Sequence, residues 1–314
     1  TVLSRGLGDV YKRQKAFRTT ITSLSGNTEM MNLNAQILMD QACELTGLSD
    51  FGEPSFRKGL NKLVESVNKE AIPTELGELA IPGNIVAKLV NRLQIEECYR
   101  LHPEINEQEI KTPVFITGLP RTGSTALGHM LALDKDTRSL RGWEAAEPCP
   151  PPDISIKNDP RIDKHLKNLA DIELMAPGLT EALPSNEHAP DECFFLLEYS
   201  LTDVAFNGFY HVPDYEDWAM TEGLAEMDAA YAYHKRILKL LQWKTPAKRW
   251  VLRSPIHSLH MNALLKTYPD ARFVITHRQA EKVLPSICSL IILLRNCFLK
   301  NPEPIALGLS LIHI

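Results

Sequence analysis

The chain has 314 residues, 44% of them hydrophobic and 23% charged. That is enough apolar material to build a core, and it excludes a disordered chain. The net charge of −5 excludes a nucleic-acid protein that grips by bulk positive charge, while leaving room for a small local anion site.

At the two ends, Thr1–Gln14 (TVLSRGLGDVYKRQ) and Leu309–Ile314 (LSLIHI) do not continue the patterns beside them. Both resemble translated adapter sequence, so residues 1–14 and 309–314 are expected to be non-native and are set aside in reading the fold. The native protein is then expected to start earlier and end later than this chain. No apolar run approaches the ~18–20 residues of a membrane span; Ile287–Leu294 is about half that length and is followed by Arg295. No transmembrane segment is expected. Six cysteines, Cys43, Cys98, Cys149, Cys193, Cys288 and Cys297, lie far apart with no CxxC pair. They read as reduced thiols of a cytoplasmic protein rather than as a disulfide framework or a zinc site.

Residues 15–110 read as helical. Leu33, Ile37, Leu38 and Cys43 recur at helical spacing, and Gly47 stops that helix; Phe56, Leu60, Leu63 and Val64 continue the period, as do Ile85, Leu89, Leu93 and Ile95. This region carries no catalytic constellation and is expected to be a packing layer. At Thr112 the pattern changes. Pro113–Thr117 is a short apolar run typical of a buried parallel strand. A glycine-rich turn follows, then a helix from about Ser124 to Leu133. After a proline-rich loop (Pro148, Pro150, Pro151, Pro152), two or three helices are expected between about Asp159 and Trp243. Strands are expected at Arg249–Leu252 and Arg272–Thr276, with a helix at about Pro255–Tyr268 between them and another after Gln279. Strands alternating with helices predict an α/β fold over residues 111–308, a three-layer P-loop-like arrangement with a parallel sheet, beside the N-terminal helical layer.

Gly118-Leu-Pro-Arg-Thr-Gly123-Ser124-Thr125 has the frame of a phosphate-binding turn, between a strand and a helix. Glycines let the backbone curl so that successive N–H groups face one anion, and the helix adds its positive end. A nucleotide kinase would place Lys at position 124; here Ser124 stands there, and Arg121 is the cation. The later strand ends in His277-Arg278 rather than in a magnesium-binding Asp. The turn is built for an anion without the lysine and metal of phosphoryl transfer, which points to sulfuryl transfer.

Downstream stand Arg249-Trp-Val-Leu-Arg-Ser-Pro-Ile-His257, Tyr268-Pro-Asp-Ala-Arg-Phe-Val-Ile-Thr-His-Arg278 and Lys282-Val-Leu-Pro-Ser286. With the turn, these resemble the sulfotransferases that use 3′-phosphoadenosine 5′-phosphosulfate (PAPS), over most of residues 30–305. The closest likeness is to the bacterial branch carrying PRTGST, a Trp-Glu pair, WVL[KR]SPxH and THR. The resemblance implies that Arg121, Thr122, Gly123, Ser124 and Thr125 bind the 5′-phosphosulfate, and that Arg278 and Ser286 bind the 3′-phosphate. It implies PAPS as co-substrate, no metal and no nucleic-acid partner, and a small-molecule, lipid or sugar acceptor attacked at sulfur in line. It also implies that chain beyond the 3′-phosphate helix helps cover the donor.

The acceptor needs a base within hydrogen-bond reach. Glu144, in Arg141-Gly-Trp-Glu144, ranks first, because related enzymes place a glutamate in this region; Glu147 could exchange roles with it. His257 ranks second, two residues beyond the histidine place of the cytosolic branch. His188, in Ser185-Asn-Glu-His-Ala-Pro-Asp-Glu-Cys193, is third, in a segment expected to line the acceptor pocket and whose acids could contact substrate hydroxyls. Arg121 and Arg253 are the candidates for stabilising charge on the bridging oxygen. Eight aromatics between Phe194 and Trp218 either line an apolar acceptor pocket or form core. Two rivals stay open at this point: a P-loop kinase or NTPase, and a non-catalytic nucleotide-binding fragment.

Overall fold

The structure, a computed structural model, describes residues 31–300. The chain ends read as non-native lie outside the described residues. Helix α1 (Ala35–Thr46) begins where the Asn34 side chain accepts hydrogen bonds from the N–H groups of Gln36 and Ile37, and it ends at Gly47 in the left-handed region. Helix α2 (Phe56–Glu70) buries Phe56, Leu60, Leu63, Val64 and Val67, one stripe at helical spacing. Helix α3 (Gly77–Leu101) is longer and serves two cores.

The sheet follows. Strand β1 (Val114–Thr117) leads through the glycine turn into α4 (Ser124–Leu131) and the short β2 (Thr137–Arg138). The chain then passes through six further helices. These are α5 (Gly142–Ala146), α6 (Pro160–Met175), α7 (Leu179–Ala182), α8 (Phe194–Leu197), α9 (Ala205–Tyr210) and α10 (Pro213–Ala219). Helix α11 (Met227–Gln242) precedes β3 (Arg249–Arg253), α12 (Met261–Thr267), β4 (Arg272–Ile275) and α13 (Ala280–Asn296). Among the described residues the sheet has four strands in the order β2-β3-β1-β4, all parallel. Phe115 pairs with Leu252 on one side and Phe273 on the other. Ends of β1, β3 and β4 therefore meet at one edge of the sheet, the edge from which parallel α/β folds bind ligands.

Two apolar cores hold these layers. One packs Phe115, Trp250 and Leu252 of the sheet against Ile237 and Leu241 of α11 and Ile95 and Tyr99 of α3. The second joins α1 and α2 and the first half of α3 to Leu201, Phe206 and Tyr215. The N-terminal helices thus share a core with a segment far along the chain.

The structure corrects the sequence reading in three places. Asp159–Trp243 holds six helices rather than two or three, because several are only one or two turns long, four to seven residues. The helix expected at Pro255–Tyr268 is a 3₁₀ turn (Pro255–Leu259) and then α12, with His260 between them outside helical geometry. Strand β2 leaves no signal in the sequence, since two residues are too few to show a period.

Candidate functional site

The turn after β1 is shaped by two glycines. Gly118 has φ 126°, and a Cβ on it would stand 2.3 Å from the carbonyl oxygen of Thr276. The turn can therefore lie against the end of β4 only with glycine there. Gly123 has φ 96° and hands the chain to α4. Between them Arg121, which is not glycine, also adopts a left-handed conformation, φ 65°. The first hydrogen bond onto α4 runs from Leu127 N–H to Gly123 C=O. The N–H groups before it have no partner within the helix and are donors for an anion. The Thr122 hydroxyl donates to Leu119 C=O at 2.7 Å and shares a 2.6 Å hydrogen bond with the Thr276 hydroxyl.

Three residues distant in sequence converge on this turn. Arg121 Nε donates to Ser286 Oγ on α13 at 3.0 Å, and its Nη1 donates to Ala182 C=O at 2.8 Å. Arg278 Nη1, just past β4, donates to the Arg121 carbonyl at 3.3 Å. Two cations and a hydroxyl thus gather beside the glycine turn, where a polyanionic ligand would be held by charge-assisted hydrogen bonds.

Arg253 ends β3 and is 7% exposed. Its Nη1 donates to Thr125 Oγ1 on α4 at 3.1 Å and to Glu192 Oε1 at 2.8 Å; its Nη2 donates to Pro190 C=O at 3.1 Å. Gly128 on α4 makes room, since a Cβ there would meet the Arg253 side chain at 3.0 Å. The segment carrying Glu192 is pinned to the strand end: Cys193 N–H donates to the Arg253 carbonyl at 2.9 Å. Burial pushes the Glu192 carboxyl up to about 7, against the pull of the Arg253 cation. A carboxyl that changes charge near neutrality, held by the same cation that reaches the glycine turn, is chemically suited to accept a proton. The sequence marked Glu192 only as one acid among several in 185–193; nothing local separates it from Glu187 or Asp191.

The other base candidates are placed differently. Glu144 is 2% exposed. Its Oε1 accepts from Arg138 Nη2 at 2.6 Å, and its Oε2 accepts from the Arg141 N–H at 3.2 Å at the start of α5. Arg138 in turn lies over the Trp250 ring, 4.4 Å from its centroid. Both oxygens of Glu144 are committed to holding α5 on the β2 side of the sheet. Glu147 pairs with Lys164 on α6. His257 is completely buried, with Nε2 2.7 Å from Cys193 Sγ and Nδ1 2.8 Å from the Tyr231 hydroxyl. Burial, and then its neighbours His234 and His260, hold His257 well below the usual histidine range, so it stays neutral. His188 is on the surface. Among the aromatics, Tyr199, Phe206, Tyr210 and Tyr215 are buried in the two cores. Phe194 and Phe195 are half-buried immediately after Glu192-Cys193, their rings 4.2 Å apart.

Residues 113–301 match the model of a family described as the sulfotransferase family. The chain belongs to that family. Two solved structures resemble this sulfotransferase over most of its length. Sulfotransferase STF1 from Mycobacterium tuberculosis is 33% identical, with a TM-score of 0.74, covering 84% of this chain and 72% of its own. Sulfotransferase STF9 from Mycobacterium avium is 29% identical, with a TM-score of 0.78, covering 90% of this chain and 73% of its own. No curated protein matches the chain. The α/β fold with its parallel sheet is that of these sulfotransferases. Among the described residues no helix is long and apolar enough to cross a membrane.

Proposed function

We propose that this sulfotransferase takes its sulfuryl group from PAPS and passes it to a hydroxyl or amine of a small-molecule, lipid or sugar acceptor. The observation that carries this reading is the Arg253 guanidinium. It spans the Thr125 hydroxyl of the anion-binding turn and the Glu192 carboxylate, so anion site and proton acceptor share one cation. In this reading Arg121, Thr122, Gly123, Ser124 and Thr125 receive the 5′-phosphosulfate, and Arg278 and Ser286 the 3′-phosphate.

Glu192 takes the acceptor proton as the acceptor oxygen or nitrogen attacks sulfur. The bond from sulfur to the bridging oxygen breaks on the opposite side, and adenosine 3′,5′-bisphosphate leaves with the electron pair. Arg121 and Arg253 offset the charge developing on that bridging oxygen; one such preorganised donor is worth on the order of 10²–10³ in rate. Glu192 is assigned the base role ahead of Glu144 and His257 because the polar atoms of those two are already committed inside the fold. They act in this reading as positioning residues, Glu144 for α5 and His257 for the Glu192-Cys193 segment. The chemistry is assigned to residues 111–308.

Calorimetric titration with adenosine 3′,5′-bisphosphate tests the donor site, with 5′-AMP and ATP plus magnesium as comparisons. The bisphosphate should bind most tightly. Arg278→Ala should weaken it roughly 10- to 100-fold while leaving 5′-AMP nearly unchanged, as expected for one lost hydrogen bond to a charged group. Preference for ATP with magnesium would overturn the reading in favour of a kinase.

A further inference from the structure

Cys98 and Cys149 are 51 positions apart in sequence, yet their sulfur atoms are 3.4 Å apart. Cys98 lies in the last turn of α3, and Cys149 lies in the loop that leaves α5. Both are half-buried, and both pack on the edge of the core beneath the sheet. The loop around Cys149 is held on both sides. Asn91 Nδ2 donates to Ala146 C=O at 2.7 Å, and Arg161 Nη1 donates to Glu147 C=O at 2.7 Å and to Pro150 C=O at 2.6 Å. The two thiols are therefore neighbours in a fixed frame rather than by chance encounter. A disulfide needs its sulfurs at about 2.05 Å, about 1.4 Å closer than they stand here.

We propose that Cys98 and Cys149 form a redox modification site, a thiol pair that closes to a disulfide on reaction with a low-molecular-weight disulfide. The first step falls to Cys98. Contact with Cys149 keeps the Cys98 thiol below its usual range, whereas contact with Cys98 and then burial push the Cys149 thiol up. The Cys98 thiolate attacks one sulfur of the external disulfide. A mixed disulfide forms and one small thiolate leaves. Cys149 then gives its proton to solvent and attacks the Cys98 sulfur, expelling the second small thiolate. The protein loses two electrons and two protons, and the external disulfide is reduced to two thiols. The bridge ties the N-terminal helical layer, through α3, to the loop that follows α5. This inference does not rest on the sulfotransfer reading, and its test needs no activity measurement.

The test uses the unaltered chain, incubated with excess oxidised glutathione, alkylated and mapped by mass spectrometry without reduction. The expected result is a peptide pair joined Cys98 to Cys149, about 2 Da lighter than the two reduced peptides, restored by dithiothreitol and absent in Cys98→Ser. Oxidised wild type should melt roughly 5 °C or more above the reduced form, because the bridge closes a long loop in the unfolded chain. Recovery of Cys98 and Cys149 as free thiols or as stable glutathione adducts would overturn the proposal. So would cross-links involving Cys43, Cys193, Cys288 or Cys297 at equal yield.

Discussion

Replacing Glu192 with Gln separates the charge of this side chain from its shape. In the wild type the carboxyl is pushed from 4.5 up to about 7, chiefly by burial. The folded protein therefore holds this proton more tightly than the unfolded chain does. The associated stability is fully present below pH 4.5 and is lost as pH rises through 7. The difference corresponds to about 3 kcal/mol, and the side chain is only 19% exposed, so little of it is screened away. Glutamine mimics the protonated acid and never ionises. Urea unfolding of the two proteins should give nearly equal stability at pH 4.5. At pH 8, Glu192→Gln should be the more stable by about 3 kcal/mol. Sulfuryl transfer should move the other way, falling on the order of 10²–10⁴-fold, the usual worth of a general base. The wild-type kcat/KM should rise with pH through about 7, and that limb should vanish in the variant. A variant less stable than wild type at pH 8, or one within tenfold of wild-type activity with its pH limb intact, would refute the reasoning.

Glu144→Ala should cost about 3–5 kcal/mol in urea unfolding, because Arg138, with 13% of its side chain exposed, is left as a buried charge without its partner; a loss below 1 kcal/mol would show that the pair does not hold α5. His257→Gln should lower the melting temperature, since Cys193 and the Tyr231 hydroxyl both face its ring. The pH midpoint of activity should not move, because His257 is already neutral; a moved midpoint would return it to the list of bases. Gly118→Ala should be far more damaging than Gly123→Ala. The first meets the Thr276 carbonyl at 2.3 Å, whereas the second has nothing within 4 Å and carries only backbone strain, roughly 1–3 kcal/mol. Equal midpoints in thermal unfolding would contradict that difference.

The strand–turn–helix at Val114–Leu131 was legible because everything it needs is local. A short apolar run, two glycines at the positions of positive φ and a helix start lie within eighteen consecutive residues. The other two main strands, the parallel α/β class and the family likeness were legible for the same reason, each motif being a short run with its own pattern. The short elements were not. A two-residue β2 and helices of one or two turns between Leu179 and Ala219 are set by what they pack against, not by their own period. The same limit hid Glu192, one acid among several until Arg253, 61 positions later, is seen to hold it.

Sequence by itself determined which residues could bind an anion and which helices and strands could carry them. Backbone conformation and amphipathic spacing act over a few residues and are written into neighbouring letters. Only the tertiary structure decided what each polar group is committed to. It gave Glu144 to Arg138 and His257 to Cys193 and Tyr231, and it brought Arg121 to Ser286 across 165 positions and Arg253 to Thr125 across 128. It also set Cys98 against Cys149, which the spacing of cysteines along the chain gave no reason to pair. A hydrogen bond or a burial-driven pKa depends on distance and dielectric in space, and neither is a function of separation along the chain.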